Sequence, residues 1–330
     1  MTPTSERLTS RVLDDLELPL PGRRAGKVRI SWALENHQRL FVTTDRLSAF
    51  DRILGCVPGK GQMLNELSWW WFGELHHLVP HHAIAVPDPN VLIARSAIPL
   101  PVEVIVRGAI TGVTTTSLWQ RYNDGQRAID GHRLPDGLQK NELLPAPIIT
   151  PTTKAEAGGH DEPLSVADVV VRGLVDAEMW ADMCAAALAV FAHGSAVAER
   201  AGLVLADTKY EFGLDEDGQL MLIDEVHTPD SSRYWEGSTY AASMSAGIEP
   251  QSLDKEIIRR AYADLGFRGE GDAPVLAGDV WDELAVGYRR AFERITGAAL
   301  QPVDLPADQR IIRTLITCGY LNEDVAMRGY

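Results

Sequence analysis

The sequence predicts a chain built of both strands and helices, on three observations. Residues 203–226 carry a β-hairpin pattern: loose apolar and polar alternation up to Phe212, a cluster of Asp215, Asp217 and Gly218, then a second apolar run. Residues 102–106 form an apolar strand, broken only by Glu103, that delivers Arg107 and Gly108. Residues 178–201 repeat alanine and larger apolar residues at helical spacing and end near Gly202. At 330 residues there is room for one large domain or two to three lobes.

With 45% hydrophobic and 23% charged residues, the composition is ordinary for a soluble globular protein. The 31 basic against 46 acidic residues give a formal charge of −15, which argues against a general binder of nucleic acid or anionic membranes. Any anionic ligand must be gripped by local basic residues. Cys56, Cys184 and Cys318 are odd in number and lack C-x-x-C spacing, so neither a disulfide framework nor a zinc site is expected. No basic segment leads into an apolar run at the start, and no uninterrupted apolar stretch approaches a membrane span; a soluble, cytoplasmic protein is expected. No feature specifies an oligomeric state.

Taken in order, Leu8, Val12, Leu16 and Leu20 make one stripe of an expected amphipathic helix over residues 1–20. Residues 21–29, PGRRAGKVR, are a glycine-punctuated basic turn before a strand. Gly26 lets the backbone approach a phosphate, and Lys27 and Arg29, on either side of Val28, share one strand face. The turn lacks the spacing and hydroxyl of a Walker A loop, and taken alone it is also the pattern of a plain basic hairpin. A strand at 39–44 precedes DRLSAFD at 45–51 and VPGKGQ at 57–62, with a helix beginning near Met63. Asp51 and Lys60 read either as capping and surface charges or as ligand contacts.

The helix at 64–76 carries Trp69, Trp70, Trp71 and Phe72, which suits core and interlobe packing. His76, His77, His81 and His82 do not converge on a helix and are interrupted by Pro80, so a solvated loop is expected rather than a metal site. Residues 125–144 are glycine-rich and polar, a loop between lobes. Helices are expected at 165–174, from Asp254 onward, and over 273–330 with a break near Pro302 to Pro306.

The chemistry concentrates in the hairpin. Strand side chains alternate, so Asp207, Lys209 and Glu211 share one face while Thr208, Tyr210 and Phe212 share the other. An even hairpin loop places Asp224 on the charged face, and an odd loop places Glu225 there. Carboxylates around a lysine suit a divalent hard cation such as magnesium, with substrate phosphate completing its shell. An isolated D-x-K-x-E is also a cross-strand salt-bridge ladder. The turn after the hairpin favours the ligand site: Thr228-Pro229-Asp230-Ser231-Ser232-Arg233 contains a proline and offers hydroxyls and a guanidinium to phosphate or carboxylate.

Together, DTKYEFG, IDE and TPDSSRYW resemble the signature of the phosphoribosylaminoimidazole-succinocarboxamide synthase (SAICAR synthetase) family of purine biosynthesis. The resemblance runs in order from Gly26 to about Arg259, through the G-K-x-R turn, DRLSAFD, VPGKGQ, Arg107-Gly108, TPTTKAE, His160-Asp161-Glu162 and the D-K-x-x-x-R at Asp254. Three departures stand out. Ile30-Ser31-Trp32 replaces the family's Asp-x-Tyr, position 109 is Ala, and Val113 stands where the family has a serine, whose work then falls to Thr114, Thr115, Thr116 or Ser117.

What the resemblance implies is an α+β fold distantly like kinases and ATP-grasp enzymes, with a nucleotide cleft between a strand-rich N-terminal lobe and a larger lobe. The implied division is 1–105 for nucleotide, 106–255 for substrate and metal, and 256–330 as a helical segment packed on the central lobe. The implied reaction uses ATP and Mg2+ to join L-aspartate to the carboxylate of 5-amino-1-(5-phosphoribosyl)imidazole-4-carboxylate, through an acyl phosphate. On that likeness Lys209, Asp207 and Arg233 are catalytic, and Gly26, Lys27, Val28, Arg29, Lys154, Glu211 and Asp224 hold ATP, with Glu211 and Asp224 on magnesium. Ser48, Asp51, Lys60, Arg107, His160, Asp161, Asp230, Ser231, Ser232, Arg233 and Lys255 are implied around the other substrates. Two rival readings are a kinase-like phosphotransferase, which would release ADP without aspartate, and a nucleotide-binding module without turnover.

Overall fold

The computed structural model describes residues 12–154, 161–303 and 306–322. Its first sheet is antiparallel, in the order Arg24–Ala25, Arg29–Ala33, Gln38–Thr43, Val91–Arg95, Ala83–Asp88. Ile30, Trp32, Leu40 and Val42 from this sheet cluster with Leu13, Leu16 and Leu18 and with Ile311 and Leu315 of the helix Ala307–Thr317. Residues 12–18 are not helical. Pro19 and Pro21 disfavour helix in the residues before them, and the segment runs irregularly while exchanging main-chain and carboxylate bonds with Asp45. Leu8 lies outside the described residues.

The second sheet is built on the strand Leu203–Leu214. One side of that strand pairs with Ile98–Ala109, whose other edge carries Leu143–Ile149 and Thr152–Thr153. The other side is shared by two shorter strands: Ser232–Glu236 covers residues 203–208, and Leu220–Ile223 covers 211–214. Lys209 and Tyr210 fall where these two neighbours part. The segment 224–231 fills the gap, with the Lys209 amide donating to the Ser231 carbonyl at 3.0 Å.

Strand alternation decides which face is core. Tyr210 and Phe212 are fully buried and cluster with Trp180, Val190 and Phe191 of the helix Ala177–Arg200, contributing roughly 1.5–3 kcal/mol each. Asp207, Lys209 and Glu211 therefore stand on the opposite face. That helix alone among the described residues is long and apolar enough to cross a membrane, yet it packs on the strands Leu203–Leu214 and Ile98–Ala109 as a core helix.

The two sheets meet through main chain: the Leu222 amide donates to Pro80 O at 2.8 Å and the His82 amide to Leu222 O at 3.1 Å. His82 is thus not in a solvated loop; it is buried, its ring nitrogen 3.2 Å from the Asp224 carbonyl, and burial lowers its pKa to about 4. The helix Lys60–Leu75 starts earlier than the sequence predicts and packs on the helix Gly278–Thr296, which also meets Glu256–Asp264. Residues 125–144 hold a small ribbon, Ala128–Ile129 with His132–Arg133, rather than an open loop. Asp130 and Gly131 supply its positive φ values of 51° and 90°. Of the expected lobe boundaries, 105/106 falls within the strand Ile98–Ala109, and 255/256 falls at the start of Glu256–Asp264.

Candidate active site

Two cavities open on the charged face of the sheet. The larger, about 640 Å³, lies against the basic turn and is lined by Gly26, Lys27, Val28, Arg29, Ser48, Glu103, Lys154, Asp161, Glu211, Asp224 and Glu225, among others. The smaller, about 260 Å³, is lined by Arg107, Thr114, Thr116, Ser117, Asp207, Ser232, Arg233, Asp254 and Arg259 with their neighbours. Lys209, Asp230, Ser231 and Lys255 line both. The gap between the two shorter strands beside the central one is where the cavities meet.

In the larger cavity the hairpin departs from the parity rule. Leu214 pairs with Leu220, so the loop holds the five residues 215–219, closed by Asp215 accepting from the amides of Asp217 and Gln219. Glu211 then stands opposite Ile223, and simple alternation would turn Asp224 toward the core. Asp224 instead adopts φ 71°, just past the end of Leu220–Ile223, and its Oδ1 sits 2.5 Å from Arg29 Nη2. Glu225 Oε1 lies 3.7 Å from the same nitrogen. Parity offered Asp224 or Glu225; the structure brings both.

Lys209 Nζ lies 3.0 Å from Glu103 Oε1 and also bonds Glu211, whose other oxygen bonds Lys154. Burial and the nearby Asp224 push the Glu211 carboxyl up, but Lys209 and Lys154 outweigh them and hold it below the usual range. Burial likewise opposes ionisation of Asp224, and Arg29 followed by Lys209 draws it well down. Glu103 and Glu225 are raised, chiefly by burial. Burial would strip the Lys209 proton, yet Glu211 and Glu103 raise its pKa well above that of a free lysine.

Glu211 and Asp224 offer oxygen donors on one cavity wall. Among the described residues no group of three or more His, Cys, Asp or Glu is placed to hold a metal by itself. Two carboxylates fit magnesium, which takes one or two protein carboxylates and completes its shell with water and phosphate.

In the smaller cavity, Asp207 stands directly opposite Arg107 on one neighbouring strand and Arg233 on the other. One oxygen, Oδ2, accepts from both guanidiniums, at 3.0 Å and 2.5 Å. Thr150 Oγ1 fixes Arg107 Nε at 2.7 Å, and Glu256 holds Arg233 at 3.2 Å. A single carboxylate thereby sets two guanidiniums side by side, a geometry suited to a phosphate or carboxylate ligand. Asp254 accepts from the amides of Tyr234 and Glu256, and burial pushes its carboxyl up to about 7.

Asp230 ties the junction together. Its Oδ2 is 2.8 Å from Lys60 Nζ, its Oδ1 accepts from the Tyr288 hydroxyl, and Lys255 Nζ is 3.7 Å away. Lys60 is fully buried and lines neither cavity, so it positions Asp230 from behind instead of reaching a ligand. Asp51 sits in a turn with Phe50, both at positive φ, and holds Lys27 at 2.7 Å at the exposed rim. His160 lies outside the described residues, while Asp161 lines the larger cavity. In place of the missing serine at Val113, Thr114, Thr116 and Ser117 line the smaller cavity.

Glu103, Arg259 and Asp254 also line the site, beyond the ligand residues that the sequence implies. Glu103 carried a signal: a lone acid in an apolar strand, two residues from Ile105 and four from Arg107 on one face.

Residues 23–274 match the family model described as SAICAR synthetase. A phosphoribosylaminoimidazole-succinocarboxamide synthase of Legionella pneumophila is 46% identical over 286 residues, 86% of this chain and 91% of its own. The solved SAICAR-synthase from Saccharomyces cerevisiae, complexed with SAICAR, superposes with TM-score 0.74 at 30% identity, over 88% of this chain and all (100%) of that one. A SAICAR synthetase in complex with ADP gives TM-score 0.65 at 25% identity, over 85% and 100% of the two chains.

Proposed function

The chain belongs to the SAICAR synthetase family, and from that premise we propose how its residues carry out the reaction. The protein is an ATP-dependent carbon–nitrogen ligase of purine biosynthesis, joining L-aspartate to the carboxylate of the aminoimidazole ribotide to give SAICAR, ADP and phosphate. The observation that carries the reading of the site is the meeting of two cavities at Lys209, Asp230, Ser231 and Lys255. ATP occupies the larger, under the turn of Gly26, Lys27, Val28 and Arg29, with Lys154, Asp161 and Ser48 also lining it. The ribotide occupies the smaller, its phosphate and carboxylate held by Arg107, Arg233, Ser231 and Ser232. The N-terminal sheet with its turn then serves as the nucleotide lobe, and the second sheet as the lobe for substrate and metal.

A carboxylate resists attack by an amine until one of its oxygens becomes a leaving group. Transfer of the terminal phosphoryl group onto that carboxylate gives an acyl phosphate, which the aspartate amine then opens. Such a transfer calls on the protein for alignment and charge compensation. Lys209, between the cavities, balances charge on the phosphoryl group in transit, and Asp207 keeps Arg107 and Arg233 side by side. Glu211 and Asp224 are the residues that would hold Mg2+, which when bound neutralises triphosphate charge. A cytoplasmic setting goes with this reading.

ADP formation measured with and without the ribotide and L-aspartate tests this reading. Release that requires both supports the ligase; release without aspartate would mark a plain phosphotransferase.

A further inference from the structure

We propose that Lys255 is the catalytic base of the amide-forming step, taking a proton from the ammonium of the incoming L-aspartate at the junction of the two cavities. The inference rests on the proposed ligase reaction, which places phosphoryl donor and carboxylate acceptor on either side of that junction. Four side chains line both cavities, and three have other engagements. Lys209 is bonded to Glu103 and Glu211, the oxygens of Asp230 are taken by Lys60 and Tyr288, and Ser231 carries only a hydroxyl. Among the described residues the Lys255 ammonium has no hydrogen bond, and its one ion pair, to Asp230, is long at 3.7 Å.

The surroundings let this lysine lose its proton. Its side chain is only 13% exposed. It caps the N-terminal end of Glu256–Asp264, where the helix dipole disfavours a cation, and its amide is pinned to Pro229 O at 3.3 Å. Burial is the main cause that lowers its pKa; Asp230 from the turn opposes, Arg259 on its own helix and Lys60 at the start of Lys60–Leu75 add to the lowering, and Glu225 opposes. The outcome is about 8. Asp254, the preceding residue, Lys209, Asp207 and Arg233 share its cavity, and Tyr288 reaches it through Asp230.

In the step, neutral Lys255 takes one proton from the aspartate ammonium. The freed nitrogen lone pair forms the C–N bond with the acyl carbon as the C–O bond to phosphate breaks. A second nitrogen proton leaves with the phosphate as hydrogen phosphate, and Lys255 returns its own proton to solvent.

The test compares two nucleophiles on the intact enzyme: L-aspartate, protonated at neutral pH, and hydroxylamine, which is uncharged there and traps an acyl phosphate as hydroxamate. Lys255→Arg keeps a charge that cannot be shed near neutrality. The expected result is an aspartate-dependent rate that falls about 100-fold further than hydroxamate formation, and that climbs about tenfold per pH unit where the wild-type rate has levelled off. Lys255→Gln gives the same split should the arginine variant not fold, and the acid limb of the wild-type profile near pH 8 needs no variant. Equal losses with both nucleophiles, or the same acid limb in wild type and variant, overturn the base role while leaving the ligase reading intact. Absence of hydroxamate with the wild-type enzyme removes the acyl phosphate, and the proposal with it.

Discussion

Replacing Lys209 by methionine tests the junction most sharply, because stability and catalysis should fail there for different reasons. The ammonium lies 3.0 Å from Glu103 and in contact with Glu211, and its side chain is 28% exposed. Deleting it strands two largely buried carboxylates beside Asp224, with Lys154 as the remaining cation on Glu211. Breaking a fully buried pair from one side costs about 3–5 kcal/mol, and the partial exposure brings the expected loss to about 2–3 kcal/mol. Adding Glu103→Gln removes one stranded charge and should recover about half of that loss in urea unfolding. Turnover takes another course, since loss of a charge at the transferring phosphoryl group costs about 100- to 1,000-fold in kcat. A coupled assay for ADP should show the single and double variants equally impaired. A folded Lys209→Met enzyme within about fivefold of wild-type turnover, or recovery of turnover in the double variant, would refute a role for this lysine in phosphoryl transfer.

The other predictions concern the metal ligand, the packing behind the site and one buried acid. Asp224→Asn should raise the magnesium concentration for half-maximal ADP formation by about 10- to 100-fold, and an unchanged magnesium titration would remove Asp224 from the metal site. A Cβ on Gly61 would stand 2.3 Å from Thr43 O and 2.5 Å from Asn90 Nδ2, so Gly61→Ala should cost about 1–3 kcal/mol in urea unfolding. A wild-type midpoint would mean that the helix start can shift. Asp254 has a folded pKa of about 7 against 3.8 for the free side chain, so its protonated form is favoured by folding. Its contribution is complete below pH 3.8 and lost as pH rises through about 7, at up to about 1.4 kcal/mol per pH unit. Asp254→Asn should abolish that decline, and parallel stability–pH curves for variant and wild type would contradict it.

The legible part of this molecule comes from local periodicity. Alternation along residues 207–212 is enough to separate the charged face from Tyr210 and Phe212, because a strand has only two sides. The helical pattern at 178–201 lies within a residue of Ala177–Arg200. Features set by distant pairing are not legible in this way. That Asp207 faces Arg107 and Arg233 at once depends on strands some 100 and 26 residues away in the chain, and the recruitment of Glu103 to Lys209 depends on the same register. Local conformations that break alternation are hidden as well. The positive φ of Asp224 and of Phe50 and Asp51 needs no glycine, so composition offers no warning. The buried Lys60 shows the same limit: its partner, Asp230, is 170 residues away, and a lysine beside two glycines reads equally as a surface charge or a ligand contact until that partner is seen.

The central claim is that the site activates the ribotide carboxylate by phosphoryl transfer across the junction before the amine attacks it. The direct measurement is a turnover with the ribotide carboxylate labelled with oxygen-18, followed by mass analysis of the phosphate released. The account predicts one labelled oxygen in each phosphate, formed together with ADP and the amide. Unlabelled phosphate at full turnover would contradict it.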